Sequence, residues 1–311
     1  HSSHRRQRQM CIRDRMTAVA QNNEPIDPMN MLQWTLEEKI KFSPEKIQQM
    51  IEAHQNAQDP QNGGVRGGTD VAVSDGTELE SEVHASINPI DNNNIAISPI
   101  QIDLAGGGGF WTPIYYTKDF GLTWTQSTFQ NMPSVPGATS VGGGDPVLIF
   151  DADGVLYLTW IDLYLEGFQL EATMGIYWAW SEDGGETWQT AANNAIIEGA
   201  LNILTQEIIE PISDKQWMAA DLSNTSTRGN VYICFVEIDQ VGAGASYKIR
   251  LKAKDASSSE FRTATIDVTN PLQYPFVQFS SVGVDDQGHV HVTFYGTNNG
   301  VTMSLFHAVS T

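Results

Sequence analysis

At 311 residues, with 41% apolar and 9% aromatic side chains, the chain is long enough for one large or two ordinary domains with a packed core. Its formal charge of -20 argues against a nucleic-acid partner or an anionic membrane surface. No run approaches the ~18 uninterrupted apolar residues of a membrane span, and no charged start followed by an apolar stretch reads as a signal peptide.

Residues 1–15, HSSHRRQRQMCIRDR, stand apart: they hold five of the nine arginines and one of the two cysteines. Arg5 to Asp14, RRQRQMCIRD, back-translates without a break into the transposase mosaic-end adapter of sequencing libraries, so this stretch is set aside as carried-over adapter. Removing its five arginines and one aspartate takes the charge to -24, and Cys234 is then the lone cysteine, with no intrachain disulfide to form. The native start is accordingly expected upstream, and the missing signal peptide carries no information on compartment.

Residues 16–56 are expected to form a helical leader. Asp27-Pro28 and Ser43-Pro44 each set an N-cap residue before a proline suited to the first turn. Met31, Leu32, Leu36 and Ile40, then Ile47, Met50 and Ile51, keep helical spacing. Residues 57–80, rich in Gln, Asn, Gly, Asp and Ser, read as a linker. From 81 to 311 helix signals vanish, and short Val/Ile/Tyr/Trp runs alternate with Gly, Asn and Asp turns.

Those runs fall into groups of four. The first is EVHASI, NIAISPI, FWTPIYY and TWTQS. The second is PVLIF, VLYLTWI, MGIYWAW and a strand opening at Thr187-Trp188, with 162–173 (DLYLEGFQLEAT) as a long connection. The third is WMAADL, VYICFVEI, YKIRLKA and FRTATIDV, and the fourth begins SSVGV, HVHVTFY, VTMSLFHAV. Four-stranded antiparallel units at such intervals predict an all-β fold: a β-propeller fragment of about four four-stranded antiparallel blades, with a short N-terminal helical segment.

Two blades carry the same octapeptide pattern, TKDFGLTW at 117–124 and SEDGGETW at 181–188. A carboxylate there can accept free backbone N–H groups, glycine can take positive φ, and tryptophan can bury its ring beside the turn. This Ser/Thr-x-Asp-x-Gly-x-Thr-Trp pattern resembles the Asp-box, or BNR repeat, of the sialidase-like β-propellers, over about 230 residues. It rests on Thr117, Asp119, Gly121 and Trp124, and on Ser181, Asp183, Gly185 and Trp188. A degenerate third copy surrounds Asp255, with Phe261 in the tryptophan place, and Ser310-Thr311 are the first two letters of a fourth. The resemblance implies a structural role for these turns and an incomplete propeller, truncated at both ends and therefore prone to self-association.

In propellers of this family the Asp-boxes lie on one face, opposite the connections that enter the innermost strands. The functional face is thus expected to carry Glu82, Asp145 and Asp214 at the starts of three innermost strands, with Tyr164 and Glu166 in the 162–173 connection. A ring of carboxylates at a channel mouth could bind a cation or a polar ligand or supply acid/base groups. The alternative is that Asp145 and Asp214 tie down loops by hydrogen bonds and pairing.

Sialidases hold the substrate carboxylate with three arginines, the first in a Phe/Tyr-Arg-Ile-Pro motif. That motif is absent, and Arg66, Arg228, Arg250 and Arg262 are not placed for such a clamp. His289 and His291 share a strand face at a spacing two metal ligands could use, but an ordinary strand face is the preferred reading. DADG (151–154) and DDQG (285–288) read as hairpin turns rather than calcium loops, and Cys234 as a buried, inert thiol.

Through the family resemblance, which alone implies the compartment, the sequence points to a secreted or surface module that binds glycans or a surface protein without catalysis. It calls for no cofactor, metal, nucleic acid or membrane span. The alternative is an exo-α-sialidase or related glycoside hydrolase with its arginines in missing blades, and a third class is an intracellular assembly factor on the same scaffold.

Overall fold

The computed structural model describes residues 27–39, 48–49, 52, 71–74, 78–103, 109–167 and 169–310. Helix α1 spans Pro28–Lys39. The Asp27 carboxylate accepts the Met29 N–H at 2.9 Å, while Pro28 fills a first-turn position where no amide donor is missed. Leu32 is buried, and the Tyr247 hydroxyl donates to the Pro28 carbonyl at 2.7 Å. The helix expected after Ser43-Pro44 lies outside the described residues except for Gln48, Gln49 and Glu52, which are helical.

The rest is β-sheet. The first sheet contains β1 (Leu79–Ile87), β2 (Ile95–Asp103), β3 (Gly109–Trp111), β4 (Tyr115–Thr117) and β5 (Thr125–Gln126). The second runs outward from β6 (Ala138–Phe150) through β7 (Leu156–Glu166), β8 (Glu171–Ser181) and β9 (Ala195–Asn202) to β10 (Ile208–Glu210). The third is β11 (Ile212–Ala220), β12 (Val231–Val241), β13 (Gly244–Lys254) and β14 (Ile266–Asp267). The fourth is β15 (Phe276–Val284), β16 (Val290–Thr297) and β17 (Ser304–Val309). Every pairing is antiparallel, and β6 packs against both β1 and β11, which in turn packs against β15. The four sheets are the blades of a β-propeller.

Several boundaries differ from expectation. β1 begins at Leu79, inside the expected linker. The FWTPIYY run splits into β3 and β4 at Thr112-Pro113-Ile114, because Pro113 has no N–H for a ladder. The 162–173 connection is mostly strand: β7 continues to Glu166 and β8 starts at Glu171. Pairing persists there because Leu163 and Met174 sit opposite each other and are both fully buried. Thr187-Trp188 leads only to a bridge between Gln189 and Trp180, and β9 and β10 build the outer blade instead.

Each innermost strand carries a bulge at an equivalent position, and β6 has a further register shift between Ser140 and Gly142. Register shifts fall between Ser81 and His84, Gly144 and Val147, Asp214 and Trp217, and Gln278 and Ser281. At each a non-glycine residue takes the left-handed conformation: Glu82 (φ 48°), Asp145 (48°), Lys215 (50°) and Phe279 (53°). A lysine and a phenylalanine share this uncommon geometry with two carboxylates, so the fold imposes it and the side chain does not choose it.

Candidate functional site

The two repeated turns close one end of the first and second blades. Thr117 Oγ1 donates to Asp119 Oδ1 at 2.7 Å and accepts the Gly121 N–H at 3.0 Å, while the Thr123 N–H and hydroxyl donate to the Asp119 carboxylate at 2.9 and 2.6 Å. The second turn repeats this set through Ser181, Asp183, Gly185 and Thr187, and Trp188 Nε1 donates to the Gly185 carbonyl at 3.1 Å. Gly121 (φ 85°) and Gly185 (φ 104°) supply the left-handed step. Hydrogen bonds, led by that from the Thr123 hydroxyl, hold the Asp119 carboxyl down to about 2. Trp124 lies against Gly121, and Trp188 stacks on Phe129 at 5.4 Å. One residue that sequence reasoning missed joins the blades here: the Asn94 amide donates to the carbonyls of both Thr117 (3.0 Å) and Gly184 (2.9 Å).

At the third copy, Asp255 instead forms an ion pair with Arg262, and Phe261 packs edge-on against Trp178 at 5.4 Å. Ser310 exchanges hydrogen bonds with the Val290 backbone, the place Ser181 holds opposite Leu156 in the second blade.

The expected carboxylate ring is arranged differently. Glu82 and Asp145 hold equivalent bulge positions, but the third equivalent is Lys215, not Asp214; the bulge shifts the register by one and turns Asp214 into the fully buried strand interior. Lys215 Nζ lies 3.4 Å from Asp145 Oδ1 and 3.7 Å from Glu82 Oε2, so one ammonium ties the three inner strands together. Gln216 also donates its side-chain amide to the Asp145 carbonyl. Of the two residues expected on a loop, Tyr164 is buried with its hydroxyl 3.3 Å from Glu198 Oε1, because its strand continues; Glu166 is exposed at the end of β7.

The site with room for a ligand lies beside this cluster, between the first two blades and at the end opposite the repeated turns. A cavity of about 220 Å³ is lined by Trp111, Thr112, Gln130, Asn131, Ser140, the run Gly142–Gly144, Trp160 and Asp162, among others. Its opening follows from glycine: both residues opposite Asp162 across the sheet are glycines, Gly143 and Gly175. A Cβ at Gly143 (φ 141°) would stand 2.4 Å from the Ile161 carbonyl oxygen, so β6 approaches β7 only without a side chain there.

Asp162 is 5% exposed, and its Oδ1 has no hydrogen-bond partner among the described residues. Burial pushes its carboxyl up to about 8, against a weaker opposing hydrogen bond with Ser140, so it carries its proton at neutral pH. The Trp160 indole N–H on the same wall is likewise without an acceptor among the described residues. Both residues line the cavity, and each keeps a buried polar atom without a partner among the described residues, as in a site completed by a ligand or by buried water. The wall thus offers a neutral carboxyl, an indole donor, hydroxyls and amides beside the half-exposed face of Trp111, which is 37% accessible. Sequence reasoning put the 162–173 stretch on this face but singled out none of these residues, which come from strands and connections as much as 51 positions apart.

The remaining motifs serve the scaffold. Arg228 donates to the carbonyls of Leu222, Ser223 and Ala152, and Arg250 pairs with Glu237 and Asp267. Asp151 accepts the N–H groups of Asp153 and Val155, each at 2.9 Å, as a hairpin turn does. Asp285 does the same for Gln287 and His289, and its second oxygen lies 3.0 Å from both His289 Nδ1 and His291 Nε2. His307, from β17, adds a third ring 2.9 Å from His291 Nδ1. These bonds, led by that with His291, hold the Asp285 carboxyl well below its usual range, and no three His, Cys, Asp or Glu among the described residues form a metal-ligand group. Cys234 is buried, and desolvation pushes its thiol up to about 12. No helix among the described residues is long and apolar enough to cross a membrane.

No protein-family model and no curated protein sequence matches the chain. Among solved structures it is similar to a protein of unknown function from Dyadobacter fermentans, at 16% identity over 74% of this chain and 66% of that one, with a TM-score of 0.49. It is also similar to an α-L-arabinanase from Penicillium chrysogenum (14% identity, 74% and 62% covered, TM-score 0.48) and an endo-arabinase from Bacteroides thetaiotaomicron (10%, 70% and 72%, TM-score 0.42). At such identities the likeness assigns no chemistry to the cavity.

Proposed function

We propose that the chain is a carbohydrate-binding propeller module, secreted or displayed at the cell surface, whose ligand enters the cavity between the first two blades. The observation that supports this is that Asp162 and Trp160, each with a buried polar atom lacking a partner among the described residues, line one cavity beside Trp111. Sugars present hydroxyls that both donate and accept, together with apolar C–H faces that lie against aromatic rings, and this wall is built from the matching groups. The Asp-box resemblance fits such a module through its scaffold turns, while a sialate-binding version lacks support because no arginine or lysine among the described residues lines the cavity. Calorimetric titration with a panel of neutral sugars tests the reading. Saturable binding weakened tenfold or more by Trp160→Phe, which removes the N–H donor together with one ring of the indole, is expected in a variant that still folds; a panel without binding overturns it.

One observation favours a second reading, a glycoside hydrolase. A carboxyl held protonated to about pH 8 is suited to general-acid catalysis on a glycosidic oxygen. Reducing-sugar release from neutral polysaccharides, abolished by Asp162→Asn, would establish turnover, and binding without release leaves the module non-catalytic.

A further inference from the structure

Trp111 borders two cavities. The second, of about 370 Å³, is lined by Glu78, Gln101, Gly109, Phe110 and Trp111, so Phe110 and Trp111 form a wall shared with the Asp162 cavity. Trp111 sits directly opposite Gln101 in the β2–β3 ladder. Gln101 is itself fixed: its amide donates to Glu80 Oε1 at 3.1 Å, and Glu80 is held in turn by the Tyr115 hydroxyl at 3.1 Å and the Ser74 hydroxyl at 2.7 Å. The floor beyond Trp111 is therefore braced by a side-chain network, as a binding surface needs to be.

Size and charge define what would span both cavities. Small-molecule sites occupy ~300–1,000 Å³; the first cavity falls below that range and the second near its lower end, while the two joined lie well inside it. Among the described residues neither is lined by arginine or lysine, the second contains the Glu78 carboxylate with Glu80 behind Gln101, and the chain bears a net charge of -20. A uronate or sialate would meet repulsion there without a cationic partner.

We infer that the two cavities are adjoining subsites for a neutral oligosaccharide of at least two sugar units, lying across Trp111 with one unit on the Asp162 side and the next on the Gln101 side. This rests on the carbohydrate reading of the Asp162 cavity. The test is titration of the purified chain, by calorimetry and ligand-observed NMR, with gluco-, xylo-, manno-, galacto- and arabino-oligosaccharides of one to four units, and with oligogalacturonides of the same lengths.

In at least one neutral series the affinity is expected to rise tenfold or more between the single sugar and the longer chains. Gln101→Ala and, separately, Glu78→Gln should remove that increment while leaving single-sugar affinity within twofold. The Glu78→Gln variant keeps the Gln101–Glu80 network, so the measurement survives if Gln101→Ala unfolds. Equal affinity at every length, or an increment unaffected by Glu78→Gln and by any folded Gln101 variant, overturns the two-subsite assignment and leaves the single cavity standing. Preference for the oligogalacturonides overturns the neutral class. Absence of binding by every sugar overturns the carbohydrate reading itself, and this inference with it.

Discussion

The Lys215 ammonium lies 3.4 Å from the Asp145 carboxylate, joining the innermost strands of the second and third blades, and both side chains are largely withdrawn from water. A pair so placed differs from a surface ion pair, whose value is near zero, because removing one member strands the other in low dielectric. Lys215→Met is expected to destabilise the chain by about 3 kcal/mol in urea unfolding. Adding Asp145→Asn should recover part of the loss. If Lys215→Met leaves the midpoint unchanged, the ammonium is not what holds these strands together.

The Asp183 carboxylate is taken up by hydrogen bonds within its own turn. Burial raises its carboxyl, but the hydrogen bonds from Thr187, Ser181 and Glu186 outweigh that and leave it lowered. Asp183→Ala should cost about 1–3 kcal/mol through the orphaned backbone and hydroxyl donors. Sugar affinity should stay within twofold, since the cavity lies at the opposite end of the blade. Intact stability with lost binding would move Asp183 into the functional site.

His84 makes stability depend on acid. Its Nδ1 accepts the Leu148 N–H at 3.1 Å, a bond only the neutral ring makes, and burial lowers its pKa to about 4. The folded value lies below the unfolded 6.5, so the unfolded chain takes up the proton first. Its contribution is complete above pH ~6.5 and lost as pH falls toward 4, on the order of 3 kcal/mol at most. His84→Gln should flatten this part of the unfolding profile; an unchanged slope assigns it to another group.

Asp162 has the opposite sign. Its folded value of about 8 stands above the unfolded 3.8, so the folded chain holds the proton more tightly and stability declines as pH rises between those limits. Asp162→Asn should be more resistant to heat than the parent at pH 9 and no more so at pH 4. Sugar affinity of the parent should fall above pH 8 as the donor proton leaves, and the asparagine variant, with an amide donor, should lose that dependence. A parent whose affinity is flat to pH 9.5 would show that the carboxyl donates nothing to the ligand.

What the sequence disclosed follows the range of the interactions. The turns at 117–124 and 181–188 and the hairpins at Asp151 and Asp285 were legible because a carboxylate and the N–H groups it accepts lie within four residues of each other. Blade order followed from alternating apolar runs. The bulges were not legible: the equivalent positions hold two carboxylates, a lysine and a phenylalanine (Glu82, Asp145, Lys215 and Phe279), so the reading that grouped Asp214 with the two carboxylates missed by one residue. The cavity was hidden for a related reason. Trp111, Ser140 and Asp162 meet only through sheet register and the packing of two blades, and the signal that could have found them is the Gly142–Gly144 run, a strand segment too bare to fill its own surroundings.

The hydrogen bond from Tyr247 to the Pro28 carbonyl spans 219 positions of sequence. On the ribosome, where chains grow at ~5–20 residues per second, α1 emerges well before its docking surface on β13 exists, and the interval is on the order of ten to forty seconds. An isolated twelve-residue helix is marginal in water, so Leu32 spends that time exposed and available to chaperones or neighbouring nascent chains. Seating of the leader is thereby a late event in biogenesis, completed only when the third blade has been made.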